Sequence, residues 1–340
     1  MSKIQVLPYD RAFECAEEET ILAAALRQGL YVRYGCKHGG CGTCKSLLVD
    51  GDVEESGSTF ALGPSERAEG WILACASQPS EDCVIDVSSM ELTEEEFLAG
   101  DQIGSLLTEV ETIQSLTPDI RSVRLRLVEP DAITFVAGQF VNVEIPGSED
   151  VRAFSLANPP SEADRIDLIV KLLPGGRFSQ LLAGTLRVGD RLRVYGPLGQ
   201  LKIRLTYRRI LMIAGGSGLA PLLSMLADLA HKGNTRPVTL FFGARRPEDL
   251  YCVEQIARIR DAMPVLEFIP SLSDAWPTDW SGETGLVTEV VARRLPSLEG
   301  YDAYLAGPPP MIDAAIPLLR ARGVRARNIH FDAFLPTGGP

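Results

Sequence analysis

Three cysteines, Cys36, Cys41 and Cys44, fall at x4 and x2 spacing in the stretch Tyr34-Gly35-Cys36-Lys37-His38-Gly39-Gly40-Cys41-Gly42-Thr43-Cys44, and a fourth, Cys75, stands alone downstream. No other stretch constrains the fold so strongly. The spacing is the plant-type pattern for a 2Fe-2S cluster. Four thiolates put a strongly anionic group into a small loop, and the nearest donors for its sulfurs are backbone N–H groups. Gly35, Gly39, Gly40 and Gly42 allow positive φ and close approach without a Cβ in the way. Such donors also tune the reduction potential.

Zinc and disulfides are the simpler alternatives. Structural zinc uses two knuckles of paired ligands, whereas here one loop supplies three cysteines and the fourth lies in Leu73-Ala74-Cys75-Ala76. Disulfides need an oxidising compartment, which nothing at the N-terminus implies. A Rieske centre needs two histidines at ligand spacing, and the chain has three in all. His38 therefore reads as a loop-surface residue, and Cys36, Cys41, Cys44 and Cys75 read as ligands of a 2Fe-2S cluster.

A chain of 340 residues, 45% hydrophobic and 23% charged, suits two or three globular domains. No apolar run approaches the ~18 to 20 residues that span a bilayer, and the first residues lack a basic segment followed by an apolar core. A cytoplasmic protein with no membrane insertion is the expectation. A net charge of −12 argues against nucleic acid and permits docking to a protein with a basic face. Cys15, Cys83 and Cys252 read as buried thiols.

Along the chain, residues 4–7 and 12–16 read as a hairpin, and Thr20 caps a helix over 21–28 that Gly29 ends. Residues 46–49, 71–76 and 83–87 supply further sheet, a β-grasp-like outline over residues 1–93. Residues 94–104, with Glu94-Glu95-Glu96 and Asp101, read as a solvated acidic linker. Residues 105–205 carry short β-runs at 109–113, 123–127, 140–145, 166–172 and 191–195, separated by Gly and Pro turns, with one helix starting near Phe178. That pattern predicts an antiparallel β-barrel. From 206 to 340 strand and helix alternate, which predicts a doubly wound parallel sheet. The fold class is thus multidomain, α+β followed by α/β.

Arg152-Ala153-Phe154-Ser155 ends a barrel strand. An Arg suits a pyrophosphate, an aromatic ring can cover a flavin face, and a Ser hydroxyl can reach the flavin N5. Pro174-Gly175-Gly176-Arg177-Phe178-Ser179 opens a helix, an expected place for phosphate. Gly215-Gly216-Ser217-Gly218-Leu219-Ala220-Pro221 follows a strand and opens a helix, the context of a dinucleotide turn, although it is not the GxGxxG fingerprint and suits a packing turn equally. Gly307-Pro308-Pro309-Pro310-Met311 is a second strand-to-helix turn, and two such turns outline one crevice.

In this order the motifs resemble the ferredoxin-NADP reductase superfamily with an N-terminal plant-type ferredoxin domain, as in the reductase components of multicomponent oxygenases. The cluster loop and residues 330–336 most resemble reductases serving soluble di-iron monooxygenases of the phenol hydroxylase and methane or propane monooxygenase type. The resemblance implies a 2Fe-2S ferredoxin domain, a barrel that binds FAD and an α/β domain that binds NAD(P)H. It implies FAD contacts from Arg152, Phe154 and Ser155, completed by Val170, Lys171, Gly175, Gly176, Arg177, Phe178 and Ser179. Gly215, Gly216, Ser217, Gly218 and Pro221, with Gly307 and Pro308, would face the dinucleotide. Phe334 or Phe331 would lie by the isoalloxazine, which makes Ser155 and Phe334 the catalytic candidates. Phe154 replaces the commoner Tyr, and Ala306 stands where many members have Cys.

The implied activity is transfer of electrons from NADH through FAD and the cluster to an oxygenase or hydroxylase component. Arg245 and Arg246 could pair with a 2′-phosphate, Glu248 and Asp249 would oppose it, and both arginines could equally be solvated; it is the similarity to NADH-using oxygenase reductases that implies NADH over NADPH. A reductase of a Rieske dioxygenase or deoxysugar dehydratase shares the domain order. A non-enzymatic electron carrier or redox sensor is the reading from another class.

Overall fold

The computed structural model describes residues 1–100, 103–148, 150–274 and 277–335. The chain divides into two compact units, residues 1–104 with 198–200, and residues 105–197 with 201–340.

The first unit is built on a five-stranded sheet in the order Arg11–Cys15, Ser2–Leu7, Cys83–Asp86, Lys45–Asp50, Trp71–Leu73. Ser2–Leu7 and Cys83–Asp86 run parallel and the other pairs antiparallel. Helix Ile21–Arg27 starts where the Thr20 hydroxyl accepts from the Ala23 N–H at 3.2 Å. It ends at Gly29, whose φ of +75° few other residues adopt. Ile21, Leu22, Ala24 and Ala25 face a core shared with Ile4, Val6 and Ile85. This is the expected β-grasp arrangement of one helix on a small mixed sheet.

Two expectations for this unit change. The strand beginning at Trp71 stops at Leu73, and Ala74–Ala76 forms one 3-10 turn. The run at residues 94–98 is not a solvated linker but a helix, Glu94–Leu98, closed by a capping box between Thr93 and Glu96. Its three glutamates suit the first turn of a helix. The one apolar anchor among them, Phe97, is fully buried, stacks on Tyr9 with ring centroids 4.8 Å apart, and accepts the Tyr31 N–H at its carbonyl. Asp101 and Gln102 of the expected linker lie outside the described residues.

The second unit opens with a six-stranded antiparallel sheet in the order Val151–Ser155, Phe140–Glu144, Arg191–Leu198, Ser105–Ser115, Ile120–Glu129, Arg165–Lys171. A bridge between Leu156 and Leu168 joins its two edges, which closes the barrel. A six-stranded parallel sheet follows, ordered Glu283–Thr284, Leu266–Leu272, Val238–Ala244, Arg209–Gly215, Tyr301–Gly307, Ile329–Ala333. Its order reverses between Arg209–Gly215 and Tyr301–Gly307, the place where open α/β sheets form a ligand crevice.

Barrel and parallel sheet were expected as separate domains. Both fall in the one compact unit and share a core, in which Ile120, Ala137 and Ile169 pack with Met212, Leu222 and Met225. Helix Val287–Arg294 escaped prediction because Val287, Thr288, Val290 and Val291 have the branching of a strand. Helix Val253–Ala262 begins only after Cys252 takes φ +55°. Among the described residues no helix is long and apolar enough to cross a membrane.

Phe97→Ala should destabilise the first unit by about 3–5 kcal/mol, the range for emptying a buried phenylalanine site. Urea unfolding followed by near-ultraviolet circular dichroism measures it. A loss under about 1 kcal/mol would return the segment to the status of a solvated run.

Candidate cofactor sites

The 3-10 turn Ala74–Ala76 carries Cys75 toward the loop of the other three cysteines, and the Ala74 N–H donates to the Cys44 carbonyl at 3.1 Å. The sulfurs meet in two pairs in hydrogen-bond contact, Cys36 with Cys41 and Cys44 with Cys75. The Gly40 N–H donates to Cys36 Sγ at 3.3 Å and the Cys36 N–H to Cys41 Sγ at 3.5 Å. Thr43 Oγ1 lies 3.2 Å from Cys41 Sγ. Contact with Cys41, and then with His38, pulls the Cys36 thiol down to about 3. Cys75 and burial hold Cys44 well up, while Cys44 and the Gly39 N–H bring Cys75 down.

Among the described residues no group of three or more His, Cys, Asp and Glu is placed to hold one metal ion. Two sulfur pairs ringed by N–H donors instead fit a two-iron cluster, which takes four thiolates and accepts hydrogen bonds at sulfur. The glycines divide by role. Gly39 and Gly42 take φ of +78° and +69°, whereas Gly35 and Gly40 do not, and Lys37 takes φ +57° instead. A Cβ on Gly39 would lie 1.6 Å from the Ser58 carbonyl oxygen. His38 is half-buried against Cys36 and not the surface residue expected. Neither His38 nor Thr43 carried a signal in sequence, since their roles come from the path of the loop.

In the barrel, Arg152 and Phe154 alternate with Ala153 and Ser155 along Val151–Ser155. Phe154 meets Phe178 with ring centroids 4.7 Å apart, and Ser155 is buried at the strand end. Gly175 takes φ +72° with nothing near its missing Cβ, and Gly176 precedes helix Arg177–Gly184. Ser179 Oγ accepts the Leu173 N–H at 2.8 Å, which closes the turn and leaves the hydroxyl proton to donate. Open backbone at a helix start beside an aromatic wall fits a flavin dinucleotide.

The predicted cations are already engaged. Arg177 pairs with Asp150, Arg152 Nη1 donates to the Val151 carbonyl at 2.9 Å, and Lys171 Nζ lies 2.5 Å from Asp119. Burial pushes the Asp119 carboxyl up, but Lys171 outweighs it and the carboxyl lies below its usual range. Val170 is buried in the barrel core.

At the reversal of the parallel sheet the two glycine turns touch. A Cβ on Gly218 would lie 2.1 Å from the Ala306 carbonyl oxygen, and one on Gly307 would lie 2.9 Å from the Gly215 carbonyl oxygen. Gly216 takes φ +55° and faces open space, and Ser217 is half-buried. Pro221 is buried in the first turn of helix Leu219–His231, while Pro308 precedes helix Pro309–Ala321. Phe334 follows Ile329–Ala333, and its N–H donates to the Gly307 carbonyl at 2.9 Å, which puts it at the crevice edge. Phe331 lies within that last strand. Pro336 of the terminal motif lies outside the described residues.

Three family models match the chain: a 2Fe-2S iron-sulfur cluster binding domain over residues 4–80, an oxidoreductase FAD-binding domain over 107–203 and an oxidoreductase NAD-binding domain over 212–316. The reductase component of propane 2-monooxygenase from Mycolicibacterium smegmatis is 38% identical over 338 residues, covering 98% of this chain and 97% of that protein. The reductase component DmpP of phenol 2-monooxygenase from Pseudomonas sp. CF600 is 37% identical over 335 residues, covering 97% and 94%. The crystal structure of Amycolatopsis cytochrome P450 reductase GcoB superposes with a TM-score of 0.76 at 32% identity, covering 99% of both chains. With matching domains in the same order and end-to-end coverage, the chain belongs to the ferredoxin-NADP reductase superfamily as an NAD(P)H-dependent oxidoreductase with 2Fe-2S, FAD and NAD domains, of the oxygenase reductase-component type.

Proposed function

We propose that the chain takes electrons from NADH and delivers them singly, by way of FAD and a 2Fe-2S cluster on Cys36, Cys41, Cys44 and Cys75, to the hydroxylase of a di-iron monooxygenase. The carrying observation is the two sulfur pairs ringed by backbone donors. It is joined by end-to-end likeness to reductase components of propane and phenol monooxygenases. When bound, flavin accepts a hydride and releases its electrons one at a time to the cluster.

The residues divide the remaining work. Phe154 and Phe178 would wall the flavin, Ser155 would donate to its N5, and Gly175, Gly176 and Ser179 would receive its phosphates. Gly215 to Gly218, Pro221, Gly307 and Pro308 would receive the dinucleotide, with Phe334 closing the crevice. In this division the cluster domain runs to Leu98, past the boundary at 93, because Phe97 belongs to its core.

Selectivity for NADH follows from charge. Arg245 lies 3.9 Å from both Asp119 and Asp249, and Arg246 lies 3.9 Å from Glu248. Among the described residues both arginines of this turn have a carboxylate within 4 Å, which opposes a 2′-phosphate. A cytoplasmic setting agrees with seven cysteines of which none forms a disulfide. The acceptor is proposed to carry a basic face, since residues 1–104 hold 7 Lys and Arg against 19 Asp and Glu. Likeness to GcoB and to the ferredoxin reductase of carbazole 1,9a-dioxygenase, at TM-score 0.70 and 31% identity, favours a P450 or a Rieske oxygenase as the second reading of the acceptor.

NADH-driven reduction of cytochrome c should be lost in Cys41→Ser while dye reduction at the flavin stays within about twofold. Equal loss of both would mean that the cluster is not a separate exit. Turnover with purified di-iron, P450 and Rieske partners distinguishes the acceptors. kcat/KM for NADH should exceed that for NADPH by about tenfold or more, and the reverse preference would overturn the charge argument.

Gly39→Ala should purify with far less iron and acid-labile sulfide than the parent chain. Gly57→Ala, also at positive φ but with nothing within 4 Å of a Cβ, should keep the parent content. Normal content in Gly39→Ala would show that the approach to Ser58 is not needed.

A further inference from the structure

Tyr251 lies outside every motif that marks the cofactors. Its side chain is 4% exposed, and its ring meets Phe242 edge-on with centroids 5.4 Å apart. Its hydroxyl donates to the Gly216 carbonyl oxygen at 2.8 Å. Burial, with the neighbouring Cys252 second, raises the phenol well above its usual range, so the group keeps its proton.

The peptide between Gly216 and Ser217 is trans, since the cis bonds among the described residues all precede prolines elsewhere. In a planar trans peptide the C=O and the following N–H point in opposite directions. A Gly216 carbonyl drawn to Tyr251 therefore turns the Ser217 N–H away from Tyr251, and a Cβ on Gly216 would meet nothing within 4 Å. The same carbonyl accepts the Leu219 N–H, which closes the 3-10 turn Gly216–Gly218. Two donors hold it, and Tyr251 is the one that comes from outside the turn. Without that hydroxyl the peptide keeps a single restraint next to a glycine, the residue that permits both orientations. The flipped orientation would aim an oxygen at an incoming anion.

We propose that Tyr251 is a positioning residue for the coenzyme diphosphate: its hydroxyl fixes the Gly216–Ser217 peptide so that the Ser217 N–H, at the start of helix Leu219–His231, points at phosphate. This rests on the reading of Gly215 to Gly218 as the turn that receives NADH. In this role Tyr251 acts through one peptide, since its hydroxyl is given to the Gly216 carbonyl.

The test uses the full chain with FAD and cluster, reading dye reduction by NADH with ADP and adenosine as competitors. In Tyr251→Phe, KM for NADH and the inhibition constant for ADP should both rise about tenfold. kcat should change less than about twofold and the adenosine constant should stay at its parent value, because adenosine has no phosphate. Phe242→Leu loosens the same packing but keeps the hydroxyl, and should not separate ADP from adenosine. Flavin and iron content check that each variant is folded. Unchanged ADP inhibition in Tyr251→Phe would overturn the proposal, as would equal weakening of ADP and adenosine, which is what a merely loosened lobe gives. Failure of ADP to compete with NADH in the parent chain would remove the reading of the turn itself, and the proposal with it.

Discussion

Anionic groups brought close to the chain must be met by donors that do not move, and here those donors are backbone N–H groups. At the cluster loop the amides of Cys36 and Gly40 point at sulfur. Several side-chain cations near the sites have carboxylate neighbours, Lys171 with Asp119, Arg177 with Asp150, and Arg245 with Asp119 and Asp249. An amide has no rotamer entropy to lose and does not titrate, but its position is only as good as the backbone path. The cost falls on conformation, which is why glycines mark each site.

The sheet order converts that requirement into one crevice. Because Arg209–Gly215 and Tyr301–Gly307 are neighbours at the reversal of the parallel sheet, the turns after them are forced together. The atoms nearest a Cβ on Gly218 are backbone atoms of Ala306 and Gly307, so it is main chain that sets this close approach. The barrel is held against this edge by a shared core and by Ser224, whose buried hydroxyl donates to the Asn158 carbonyl at 2.7 Å. Asn158 follows the strand that carries Phe154 and Ser155. Its side chain accepts from the Asp167 N–H and donates to the Glu162 and Arg165 carbonyls. Through Asn158 the end of strand Val151–Ser155 is thus tied both to the barrel and to helix Leu219–His231.

What the sequence made legible was whatever repeats locally. Cysteine spacing, strand-to-helix alternation and glycine turns each leave a mark within about ten residues, and helix Leu219–His231 does open after the glycine turn. Features set by tertiary contact were not legible. Phe97 in a run of glutamates looks solvated until Tyr9 is placed beside it. Val287–Arg294 looks extended until its valines find the sheet. Tyr251 gains its role from a carbonyl 35 residues away that nothing beside it in sequence announces, and the burial of His38 against Cys36 follows from the path of the loop rather than from its spacing.

Charge follows the same division. Residues 1–104 carry the whole net charge of −12, while residues 105–340 hold 26 Lys and Arg against 26 Asp and Glu. An acidic field would repel an anionic coenzyme at long range, yet it is screened beyond about 8 Å at physiological salt. The unit that carries the dinucleotide turns is neutral overall, so neither attraction nor repulsion by net charge decides binding there. Discrimination then rests on contacts within a few ångströms. At that range a single peptide, turned one way or the other, presents a phosphate with either a donor or an oxygen, and the hydroxyl of Tyr251 decides which.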